Sequence, residues 1–121
     1  MSSKFCVTIT RSRESHDDVT VGLVVANAAA GSDKETLIFL SADGVWAAVQ
    51  GEAEKINLGA PFAPLKELVD RFMGVGGRIL VCTPCAKKRG IEEGHLIPGA
   101  TFAGGAALVE FLSDGAPCVS Y

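Results

Sequence analysis

Short apolar runs alternate along this chain with segments patterned for helices, and that alternation limits the folds open to it. Lys4-Phe5-Cys6-Val7-Thr8-Ile9-Thr10, Glu35-Thr36-Leu37-Ile38-Phe39-Leu40-Ser41 and Arg78-Ile79-Leu80-Val81-Cys82 have the length and composition of strands, and residues 116–121 read as a last one. Between the first two, Asp17 and Asp18 precede the apolar stretch 19–30 and Gly31 follows it, the acidic entry and glycine exit of a helix. That helix is apolar almost all round and is expected to be deeply covered. Past the turn Ala42-Asp43-Gly44, residues 45–51 suggest a brief helix. Then Phe62, Leu65, Leu68, Val69, Phe72 and Met73 recur at helical spacing, with Lys66, Glu67, Asp70 and Arg71 on the other face. Gly74, Gly76 and Gly77 stop this helix, and residues 106–112 supply another before Gly115. Strands buried on both faces and joined by helices form a parallel sheet with right-handed crossovers, so the expected class is α/β.

The 121 residues fit a single domain, 1–121, which at this size removes about two thirds of its surface from water on folding. Hydrophobic residues make up 48% against 21% charged, enough to build a core without staples. The net charge is −3 and no aromatic residues interleave with basic ones, so nucleic acid is not an expected partner. No apolar run approaches the roughly 18 residues of a membrane span. The opening Met1-Ser2-Ser3-Lys4-Phe5 lacks a signal-peptide stretch, so a cytoplasmic location is expected. In a reducing compartment the four cysteines read as buried, metal-binding or reactive thiols rather than as a disulfide framework.

Cys82-Thr83-Pro84-Cys85 is where chemistry concentrates. Pro84 suits a first helical turn, which puts Cys82 or Thr83 at the N-cap, facing unpaired backbone donors, with Lys87, Lys88 and Arg89 close by. A thiol acts as its thiolate, and the helix end and the cations are both expected to lower its pKa. Cys82 and Cys85 are therefore the candidate catalytic residues, and Lys87, Lys88 and Arg89 the candidates for binding an anionic substrate. In such sheets chemistry gathers at the carboxyl ends of the strands, where Cys82 and the loops 11–17 and 41–44 fall. The competing reading is that Cys82 merely ends a buried strand as a small hydrophobe. CxxC is also half of a tetrahedral zinc site, but His16 and His95 stand alone in loops and Cys6 and Cys118 look like inert core thiols. No metal or cofactor is expected. Trp46 is expected to pack in the core or against another subunit, and Gly104-Gly105 is too weak a signal for an anion site.

The first strand with its apolar helix, the second strand running into Phe39-Leu40-Ser41-Ala42-Asp43-Gly44-Val45, and the strand ending in Cys82 with Arg89-Gly90-Ile91 beyond make the chain resemble the DsrE/DsrF-like family of sulfur-relay proteins. The resemblance covers nearly the whole chain. It implies the YchN-like fold, a three-layer, parallel-rich sheet of about five strands with helices on both faces. It also implies a homo-oligomer, trimer or hexamer, with Trp46 and residues 45–58 as interface candidates. Sulfurtransferase members carry a persulfide on one cysteine at the end of this strand, and Cys82, eight residues before Gly90, matches that position. Cys85 has no counterpart in the simplest members.

The expected function is a sulfur-relay protein, a candidate sulfurtransferase, that holds sulfane sulfur on Cys82 and passes it to the thiol of a partner such as a small sulfur-carrier protein. The alternatives are a dithiol–disulfide redox protein using Cys82 and Cys85, and a non-enzymatic oligomeric binding module.

Overall fold

A computed structural model of the chain describes residues 3–121. Five strands, β1 (Lys4–Ile9), β2 (Glu35–Leu40), β3 (Arg78–Cys82), β4 (Ala100–Ala103) and β5 (Cys118–Ser120), form one sheet in the order β4-β3-β2-β1-β5. Every neighbouring pair is parallel. The helices α1 (His16–Gly31), α2 (Leu65–Gly74), α3 (Thr83–Lys88) and α4 (Gly105–Leu112) connect them, with 3-10 turns at Ala42–Ala48, Ala53–Lys55 and Glu93–His95. The chain steps from β1 to β4 in one direction and then returns to the far edge. With right-handed crossovers, that reversal sends α4 to the opposite face of the sheet from the other helices.

The strand side chains divide accordingly. Val7, Ile9, Ile38, Leu40, Ile79 and Val81 pack into the main core with Leu23 of α1 and Leu65, Leu68 and Phe72 of α2. The alternate positions Cys6, Leu37, Phe39 and Leu80 meet Phe111 of α4 in a smaller cluster. Helices therefore cover both faces of an α/β sheet, and the second face has only one short helix over it.

Three elements differ from the sequence reading. Helix α1 begins earlier than the acidic pair suggests, because Ser15 is its N-cap and its side chain accepts the Asp18 N–H at 3.3 Å, leaving Asp17 and Asp18 in the first turn. It is buried along one face only: Val19, Leu23 and Ala26 are inside, while Val24 points out. Helix α2 starts at Leu65 without Phe62, since Pro64 disfavours helical geometry at the residue before it. Strand β4 is the fifth and has no counterpart among the apolar runs of the sequence: Ala100-Thr101-Phe102-Ala103 is too short and too small in side chain to announce itself.

Candidate functional site

The carboxyl ends of β1, β2 and β3 bring three loops together, and the cysteine pair sits among them. Cys82 is both the last residue of β3 and the N-cap of α3, with Pro84 in the first helical turn. Helix α3 closes on a left-handed Gly90 (φ 72°), where Gly90 N–H donates to Lys87 O at 3.1 Å and Ile91 N–H to Ala86 O at 2.9 Å. This is the hydrogen-bond pattern of a Schellman ending, with Ile91 turned into the core.

The loop after β2 is pressed against the end of β1. A Cβ on Gly44 would overlap the Ile9 carbonyl, so only glycine fits there. Just before it, Ala42 has φ 49°, a left-handed conformation unusual for a residue with a side chain. In that pose its backbone N–H is directed at the Cys85 sulfur.

The two thiols act on each other and their acidities move in opposite directions. Burial pushes Cys82 up, the Cys85 sulfur adds to this, and the opposing pull of the Cys85 N–H and Arg89 is outweighed. The Cys85 thiol is pulled down chiefly by Cys82; burial, the next largest effect, opposes this, and the Ala42 N–H, Arg89 and Lys88 add smaller downward pulls. The expected lowering of a thiol pKa is found at Cys85, whereas at Cys82 burial outweighs the pull of the helix end and of Arg89. Of the two thiols, Cys85 gives up its proton the more readily.

Of the basic run, Arg89 is the member built into the site. Its Nε donates to Asp43 Oδ1 at 2.8 Å and its Nη1 to the Cys85 carbonyl at 3.0 Å, and its side chain is only 19% exposed. The guanidinium holds Asp43 below the usual carboxylate range. Lys88 is exposed and contributes charge alone, whereas Lys87 borders a separate cavity of about 390 Å³ with Gly90, Ile91, Glu92, Glu93 and Phe102.

Beside this lies a second charged group that sequence reasoning missed. The Arg13 guanidinium stacks 3.5 Å over the Trp46 ring, and its Nε meets Glu52 Oε1 at 2.7 Å. Glu52, 8% exposed, also takes Lys55 at 2.9 Å, and its carboxyl is held down to about 2, mainly by Arg13. Arg13, Asp43 and Glu52 lie in the loops after β1 and β2, so their place at the strand ends is the signal that points to them.

The remaining candidates lie elsewhere. His16 opens α1, and His95 accepts the Glu92 N–H at Nδ1, 2.9 Å away, a capping role. Cys6 is fully buried and its thiol is pushed up to about 12 by burial and by Cys118. Cys118 is exposed, which corrects its reading as a core thiol: β5 is a short edge strand whose residues are all exposed. Among the described residues no cluster of His, Cys, Asp or Glu is arranged to hold a metal, and no helix is long and apolar enough to cross a membrane.

A parallel sheet ordered 4-3-2-1-5 with a thiol pair at the end of its third strand can now be set beside known proteins. The sequence profile of the DsrE/DsrF-like family matches residues 3–120. The chain belongs to this family. It is 31% identical to the uncharacterized protein MJ0989 of Methanocaldococcus jannaschii over 118 residues, 98% of this chain and 99% of that one. It is 33% identical to the uncharacterized protein MJ0760 of the same organism over 90 residues, 74% of this chain but 32% of that relative's length. The ychN protein of E. coli superimposes over 98% of this chain and 99% of its own at a TM-score of 0.76 and 18% identity. MTH1491 of Methanobacterium thermoautotrophicum gives 0.69 at 16% identity, over 98% of each chain. These structures share the YchN-like architecture, and the DsrE/DsrF-like family is one that suggests sulfur relay in general.

Proposed function

We propose that this protein relays sulfane sulfur through the Cys82/Cys85 pair, with Cys82 as carrier and Cys85 as its base. The observation that carries this is the adjacent pair at the end of β3, in which Cys85 is made the more acidic thiol by Cys82, the Ala42 N–H and Arg89, and the reaction starts from Cys85 in its thiolate form. The choice of Cys82 rests on its family position, at the strand end eight residues before Gly90.

In the loading step, Cys82 Sγ attacks the outer sulfur of a donor persulfide R–S–SH while Cys85 takes the Cys82 proton. The products are Cys82–S–SH, a Cys85 thiol and R–S⁻, so proton and charge are conserved. The sulfur stays at the sulfane level and no electrons are exchanged with an outside agent. In the unloading step, the thiolate of a partner such as a small sulfur-carrier protein attacks the outer sulfur. It leaves as P–S–SH, and Cys82 recovers its proton from Cys85. Cys82→Ser is expected to abolish loading. Cys85→Ser is expected to retain it at a rate lowered about 100-fold or more at neutral pH, the scale of a lost general base. Loading of Cys82→Ser at the parent rate would overturn the assignment.

A dithiol–disulfide reading is favoured by the same adjacent pair. Attack of the Cys85 thiolate on the inner sulfur of Cys82–S–SH gives a Cys82–Cys85 disulfide and HS⁻. Stoichiometric sulfide release from the loaded parent, absent in Cys85→Ser, marks this route, and a loaded parent that keeps its sulfur until an acceptor thiol is added argues against it.

We also propose a homo-oligomer, a trimer or hexamer, on the family resemblance. Light scattering on the purified chain checks this, and a monomer at micromolar concentration would contradict it.

A further inference from the structure

The other two cysteines form a second pair, far from the first. Cys6 of β1 and Cys118 of β5 are register partners on adjacent parallel strands, which puts both side chains on the same face of the sheet. Adjacent strands run about 4.8 Å apart, within the roughly 4.4–6.8 Å between Cα atoms that a disulfide spans. Cys6 is fully buried beneath α4 while Cys118 faces solvent, so a reagent meets Cys118 first and Cys6 is the thiol next to it.

Neither of the site cysteines can intervene. Cys6 lies level with Leu37 and so with Arg78, which puts Cys82 four residues further along and two strands across, a separation along the strand direction of about 13 Å.

Strand β5 is also an element that a link would fasten. It has only the residues Cys118–Ser120, all exposed, and is held to β1 by Cys6 N–H to Pro117 O at 2.9 Å, Tyr121 N–H to Thr8 O at 2.8 Å and the Thr8–Ser120 hydroxyl pair at 2.6 Å.

We propose that Cys6 and Cys118 form an intramolecular disulfide on exposure to a hydroperoxide, fastening the C-terminal strand to the sheet independently of the Cys82/Cys85 site. The Cys118 thiolate attacks the terminal oxygen of the hydroperoxide R–O–OH, breaking the O–O bond and giving Cys118–SOH and RO⁻ (hydroxide when the oxidant is hydrogen peroxide), which takes a proton from water. Cys6–SH then displaces water from the sulfenic sulfur, forming the S–S bond. The pair loses two electrons and the peroxide gains them.

Trypsin separates the thiols, because cleavage after Lys4, Arg11, Arg78, Lys87 and Arg89 yields peptides 5–11, 79–87 and 90–121. After hydrogen peroxide treatment and digestion without reductant, the expected product is peptide 5–11 linked to peptide 90–121, in the parent and in Cys82→Ser/Cys85→Ser alike. Cys118→Ser, at an exposed position, should fold and lose the link. Amide exchange at residues 118–121 should slow about tenfold in the linked protein. Recovery of Cys6 as a free thiol with Cys118 over-oxidised or joined to a second chain would overturn the pairing. Unchanged exchange in linked protein would overturn the fastening.

Discussion

At the scale of single residues, the site is a question of where one negative charge rests. A CxxC after a strand, with Pro84 and three cations following, announces an activated thiol, and that much is legible in the sequence. Which thiol is activated is not legible, because it turns on how Cys82 and Cys85 meet in space, and a further donor, the Ala42 N–H, comes from a loop about forty residues away in sequence and from a left-handed backbone that no alanine advertises. Arg89 is the testable member of this arrangement. Arg89→Gln is expected to raise the Cys85 pKa and to slow its alkylation at neutral pH, read by site-resolved iodoacetamide rates across a pH series. In the same experiment Cys6, raised to about 12, should stay unlabelled in the folded protein.

At the scale of elements, strands β1, β2 and β3 were legible because each is a continuous apolar run bounded by polar or glycine-rich turns. The short edge strand β4 and the true start of α1 were not, since small side chains carry no period and a serine cap competes with two aspartates for the same role. Two glycines separate close packing from backbone conformation. Gly44→Ala drives a Cβ into the Ile9 carbonyl and should cost about 2–4 kcal/mol, displacing the Ala42 and Asp43 loop as well. Gly90→Ala meets no atom and pays only the left-handed φ, about 1–2 kcal/mol. Urea unfolding of the two variants gives the ranking, and a Gly90→Ala cost above that of Gly44→Ala would contradict it.

At the scale of the whole molecule, the carboxyl edge of the sheet is where the charges are spent. Glu52, buried between Arg13 and Lys55, joins the loop after β1 to the segment leading to α2. Its carboxyl lies near 2 when folded and at about 4.5 when free, so it contributes stability that is fully present above pH 4.5 and lost as pH falls toward 2. Glu52→Gln should cost about 1–3 kcal/mol at pH 7 and flatten the decline of stability between pH 5 and 2, measured by urea unfolding at each pH. A variant with the parent's acid profile would remove Glu52 from this role. The sulfur assignment itself meets its most direct test in fragment-ion mass spectrometry of peptide 79–87 after loading from a persulfide donor and capping of the outer sulfur. The added sulfur is expected on Cys82 with Cys85 unmodified, and sulfur found on Cys85 with Cys82 free would contradict the account.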